Sequence, residues 1–85
     1  MNYNYFNIVG KLKAFNNVSL DIELEKPDGT TSTISCFIED SIFDSLLKTN
    51  PIDTIICIKG RLLPVAYGYV KPIAERLYFF EKENK

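Results

Sequence analysis

Histidine and tryptophan are both absent from this chain of 85 residues, and cysteine occurs only twice. Without histidine the usual general base and the commonest metal ligand are missing. No convergent carboxylate pair replaces them, so no catalytic residue and no enzyme is expected. Cys36 and Cys57 lie on separate strand-like runs, which does not make a zinc site; no metal or other cofactor is expected. A disulfide between them needs neighbouring strands with suitable geometry, and two small buried thiols are the expectation for a cytoplasmic chain. No apolar run approaches the roughly 20 residues that span a bilayer. The start, Met1 to Phe6, has neither the basic nor the long apolar region of a secretion signal. A cytoplasmic protein with no membrane partner is therefore expected.

What is present suffices for one small domain, 1–85. An apolar fraction of 46% is ordinary for a globular chain and leaves no room for long disorder. A chain this short buries roughly 60–65% of its unfolded surface. The net charge of −1 argues against a nucleic-acid binder if taken alone. Its distribution points the other way. Between Asp21 and Asp53 eight acids face only Lys26 and Lys48, leaving −6. Residues 1–20 and 54–80 carry Lys11, Lys13, Lys59, Lys71, Arg61 and Arg76 against Glu75, leaving +5. Such asymmetry can build one basic face on an acidic protein.

Periodicity supplies five strands and one helix. Residues 5–15 read as a long strand bent at Gly10. Asn16-Asn17 is a turn candidate because asparagine tolerates the left-handed region. Val18 to Glu25 alternates strictly, with Val18, Leu20, Ile22 and Leu24 on one face. Lys26-Pro-Asp-Gly-Thr30 is a turn, and Thr31 to Ile38 a third strand that leaves Phe37 on the face away from the core. Ile42, Phe43, Leu46 and Leu47 form a helical stripe, capped by Asp40 or Ser41, with Asp44 in the first turn and Asn50-Pro51 at the end. Residues 53–63 read as a fourth strand buried on most sides, with a bulge, corner or close backbone approach at Gly60. Lys59 and Arg61 flank that glycine on one face. Pro64 to Pro72 is a loop or short distorted hairpin, Ile73 to Glu81 the last strand, and the tail to Lys85 is expected to fray. Five bent strands with a helix between the third and fourth match the five-stranded Greek-key barrel of the OB-fold, an all-β class with one helix.

Asn7-Ile-Val-Gly-Lys-Leu12 resembles the first strand of the bacterial single-stranded DNA-binding protein family. The block Ile34 to Leu62, with its helix ending Leu-Leu-Lys and its strand closing Gly60-Arg61-Leu62, is similar to the same family in order and spacing. So is the last strand, and the likeness spans residues 5–80. It implies a homodimer or homotetramer that coats single-stranded DNA in replication, recombination and repair. Tyr67 stands where the family commonly places an aromatic in the hairpin between the last two strands. Glu39 and Thr33 stand where it commonly has aromatics. The family's acidic tail has no counterpart before Lys85, so no tail-mediated recruitment of partners is expected.

Sequence-tolerant binding of a single strand needs cations for phosphates and flat rings for bases. The residues expected to supply them are Lys11, Lys13, Phe37, Lys59, Arg61, Tyr67, Tyr69 and Lys71. Tyr67 and Tyr69 would place two rings on one side of an extended segment, or pair across a hairpin or interface. Tyr3, Tyr5 and Phe6 suit an interface or the core. Two alternatives stay open: a barrel that binds protein through its acidic block and exposed rings, and an RNA-binding or replication-accessory barrel.

Overall fold

The computed structural model describes residues 4–80. The chain forms β1 (Tyr5–Phe15), β2 (Ser19–Glu25), β3 (Thr31–Phe37), α1 (Asp40–Thr49), β4 (Ile55–Ala66) and β5 (Tyr69–Phe79). The strands close into a barrel in the order β1-β2-β3-β5-β4. All neighbours are antiparallel except β3 and β5, which meet in parallel at one position, Phe37 opposite Ile73. With α1 inserted between β3 and β4, this is the OB-fold. Tyr3 and the tail 81–85 lie outside the described residues.

Alternation sorts the side chains. Leu12, Leu20, Ile22, Cys36, Ile56 and Ile58 are wholly buried inside the barrel, and α1 adds Leu46. Full burial of an aliphatic side chain contributes about 1.5–3 kcal/mol, so this cluster is the main source of stability. Phe6 packs against it, whereas Tyr5 points outward and is exposed. In β4 only one face is buried: Ile55 is 46% exposed and Cys57 partly so, which corrects the expectation of a strand enclosed on most sides. The strand is an alternating one whose outer positions happen to be apolar.

Gly60 combines two of its expected roles. A Cβ there would lie 1.9 Å from the Ile73 carbonyl oxygen and 2.9 Å from the Phe6 ring. The pairing also slips at this point: Lys59 faces Arg76 and Gly60 faces Ala74, leaving Glu75 as an extra, bulged residue. Similar slips single out Lys13 in β1 and Val65 in β4.

Three local expectations are corrected. The β1–β2 turn uses no left-handed asparagine; instead Asn16 Oδ1 accepts the amides of Val18 (2.8 Å) and Ser19 (2.9 Å). The helix starts one residue early, with Glu39 as N-cap and no side-chain cap bond, so Asp40 rather than Asp44 occupies the first turn. The Glu39 carbonyl accepts the amides of Ile42 and Phe43 instead, both at 3.0 Å. Pro64 to Pro72 is neither loop nor short hairpin but the outer half of a long β4–β5 hairpin. Asn50 ends the helix in the left-handed region, as its place before Pro51 suggests.

Candidate nucleic-acid interface

The long hairpin sets the geometry. Beyond the Leu62–Pro72 pair the strands continue through Pro64–Val70 to Ala66–Tyr69, and the chain reverses at Tyr67-Gly68. Gly68 takes φ +80°, which a side chain would resist. Residues 64–70 are exposed on both faces, so the hairpin tip stands clear of the barrel. Tyr67 is fully exposed at the tip and Tyr69 largely so. Of the two expected arrangements the hairpin holds and the extended segment does not: Tyr69 pairs with Ala66, and Tyr67 stands in the turn.

Tyr69, Lys71 and Ile73 share the outer face of β5. Because Ile73 adjoins Phe37 at the β3–β5 junction, Phe37 joins the same outward line. The Lys71 ammonium sits 4.3 Å from the centre of the Phe37 ring. Tyr69, Lys71 and Phe37 thus share one outward line of rings and charge, with Tyr67 at the tip beyond its end.

The other expected cations are placed differently. Arg61 donates to Glu75 at 2.6 Å, and Lys13 to Asp53 at 2.9 Å. Each is already neutralised by a carboxylate. The Lys13 pair holds the Asp53 carboxyl below its usual range and raises the lysine. Lys11 lies in β1 between Ile55 and Glu23. Lys59 lies on the outer face of β4 with its ammonium 5.5 Å from the Tyr78 ring. Directly across from it is Arg76, and these two have no carboxylate partner among the described residues. Tyr5, Asn7, Lys59, Gly60, Glu75 and Arg76 line a cleft of about 560 Å³. It lies roughly 20 Å along β4 from the hairpin tip. Arg76 entered the sequence reading only as part of the basic block and Tyr78 not at all, because the bulge at Glu75 shifts the alternation of β5 and hides which residues face outward.

The acidic block also resolves into a surface. Asp21, Glu23 and Glu25 line the outer face of β2, opposite Ser35, Thr33 and Thr31 of β3. Ser35 Oγ donates to Asp21 Oδ1 at 2.6 Å. Oligonucleotides on this fold cross the β2–β3 face and its adjoining loops. Here three carboxylates repel a polyanion from most of that face, and only its upper row, Ser19 and Phe37, is free of acid.

Cys36 and Cys57 are both free thiols. Cys36 is buried, and burial together with nearby Asp21 pushes its thiol up to about 11. Cys57 faces outward instead of into the core, and its thiol donates to Asn7 Oδ1 at 3.2 Å. Among the described residues no group of three His, Cys, Asp or Glu could hold a metal ion. No described helix is long and apolar enough to cross a membrane.

No family model and no curated protein sequence matches this chain. Solved structures do. One is the mitochondrial single-stranded DNA-binding protein Rim1 of S. cerevisiae, with a TM-score of 0.69 over 99% of this chain and 100% of that one. The two are 14% identical, a likeness of fold.

Proposed function

We propose that this chain binds single-stranded DNA without sequence preference, as a member or relative of the bacterial single-stranded DNA-binding proteins. The observation that carries the reading is the line Tyr67, Tyr69, Lys71, Phe37, which runs from a projecting hairpin tip onto the barrel. Each base stacked on such a ring contributes about 1–3 kcal/mol, whatever its identity. Alternate residues on a strand stand about 6.6 Å apart, roughly twice the 3.4 Å between bases stacked in a duplex. Phe37 stands opposite Ile73, two such steps or about 13 Å from Tyr69, so the two rings can each take a base only from a strand whose bases are splayed apart or are not adjacent. Lys71 is the cation nearest this path, and Lys59 with Arg76 extends positive charge along the same side. Rim1, a barrel of the same fold, is by name a single-stranded DNA-binding protein. The role follows as coating of single strands in replication, recombination or repair, in the cytoplasm, by a homodimer or homotetramer.

Fluorescence anisotropy of labelled oligothymidine across a salt series tests this. Tight binding at low salt is expected, with a falling log–log slope and little difference among bases; no binding at low salt overturns it. The carboxylate row on β2 favours one alternative, a barrel that docks a basic protein segment there. Competition among single-stranded DNA, single-stranded RNA and duplex at matched salt separates the DNA reading from an RNA-binding one.

A further inference from the structure

The Lys71 ammonium lies over the ring that a base would need. Phe37 is 38% exposed, and the cation stands over its ring at 4.3 Å from the centre. No carboxylate among the described residues pairs with Lys71, and its ammonium stands over the Phe37 ring instead. An exposed cation–π contact is worth less than a stacked base, so a base arriving at Phe37 displaces the ammonium and is not excluded by it. Lysine has a flexible four-carbon stem and three donors. Once displaced, its ammonium stays within reach of the phosphate that accompanies the base. The surroundings favour this exchange at Phe37 over other outer positions of β3. Ser35 and Thr33, the next two, face Asp21 and Glu23, whereas Phe37 faces Ser19.

We propose that Phe37 and Lys71 form a one-nucleotide subsite that works by exchange. In the free protein Lys71 shields the ring; in the complex the ring takes a base and Lys71 takes a phosphate. This rests on the single-strand reading above and adds a division of labour within it. Lys71 then has two opposed effects on affinity. It contributes a salt-sensitive phosphate contact, and it imposes a salt-insensitive cost for uncovering Phe37.

Oligothymidine binding by the full chain across a tenfold range of salt tests the exchange, using Lys71→Gln and Phe37→Leu. The expected result is that Lys71→Gln lowers the log–log slope by about 0.7, the value for one phosphate on a single strand. That is about a fivefold change in relative affinity over the range. Its line crosses that of the parent: weaker at low salt, equal or tighter at high salt. Phe37→Leu keeps apolar bulk at the junction but removes the ring face. It is expected to weaken binding roughly 5- to 150-fold with the slope unchanged. In proton NMR the Lys71 ε-methylene is expected upfield in the free protein, under the ring current of Phe37, and to lose that shift on binding. Parallel lines for the parent and Lys71→Gln, or an ε-methylene shift that persists in the complex, overturn the exchange while leaving DNA binding intact. Failure of the parent chain to bind overturns both.

Discussion

Tyr67 and Cys36 mark the extremes of what one residue can do in this molecule. Tyr67 touches nothing that stabilises the barrel, since its side chain is fully exposed. Tyr67→Ala is therefore expected to leave the melting temperature unchanged and to weaken oligothymidine binding by about 1–3 kcal/mol, measured by anisotropy beside a thermal melt. Cys36 is wholly buried and faces no ligand. Its thiol is raised from 9.0 to about 11 in the fold, mainly by burial and then by Asp21. The unfolded thiol ionises first on raising pH, so this group's contribution is complete below pH 9 and is lost as the pH climbs towards 11. Melts at successive pH values are expected to show a greater alkaline loss for the parent than for Cys36→Val. Tyr67 was legible in the sequence through its place five residues after Leu62, where the resemblance puts an aromatic, and its spacing from Tyr69 across Gly68. The outward Cys57 was not: an apolar run reads the same whether one face or both are buried.

At the scale of elements, the bulges organise more than the regular pairing does. Lys13 and Glu75 are both bulged residues, and each supplies one partner of an ion pair, Lys13 with Asp53 and Arg61 with Glu75. A bulge turns a side chain out of the alternating register, which frees it to reach sideways to a neighbouring element. Gly60 permits the second of these slips by letting the Ile73 carbonyl approach. Gly60→Ala would press a methyl group into backbone that cannot step aside. It is expected to destabilise the protein by about 3 kcal/mol, the upper range for overpacking, measured by denaturant unfolding. The sequence reading located all five strands and the helix because their alternation and stripe are regular. It missed the outward placement of Arg76 and Tyr78 for the converse reason, since one extra residue in β5 inverts the apparent faces on either side of it. It also left the hairpin short, because prolines at 64 and 72 suggest interruption. Both sit within the β4–β5 ladder instead, opposite Val70 and Leu62.

Across the whole molecule, charge is segregated by strand. The outer face of β2 is acidic, and the outer faces of β4 and β5 carry Lys59, Arg61, Lys71 and Arg76. A net charge of −1 averages these away, although a polyanion meets them one at a time. The segregation was visible in the sequence as blocks of opposite sign. What was not visible is that two of the expected cations are already paired, because Lys13–Asp53 and Arg61–Glu75 each join residues distant in the chain. With Lys13 and Arg61 held by carboxylates, Lys59, Lys71 and Arg76 remain as the principal cations of this side. The expected log–log salt slope is then close to −2, at about 0.7 per phosphate, and a slope near −3.5 would show that the two paired cations are also recruited.

The junction of β3 with β5 has a further consequence for how the barrel breathes. Every other seam is an antiparallel ladder of several residues, whereas this one is the lone parallel position at Phe37 and Ile73. Local opening concentrates where few backbone bonds must break. Amide hydrogen exchange is therefore expected to be faster at this seam than along the β1–β4 ladder. A strand lying over Phe37 and Lys71 bridges the two sides of the seam and holds it shut. Bound oligothymidine should slow exchange there first, and at a hundredfold excess over Kd it should stabilise the fold by about 2.7 kcal/mol. A strand bound along the proposed path would stand in for the missing rungs of the barrel.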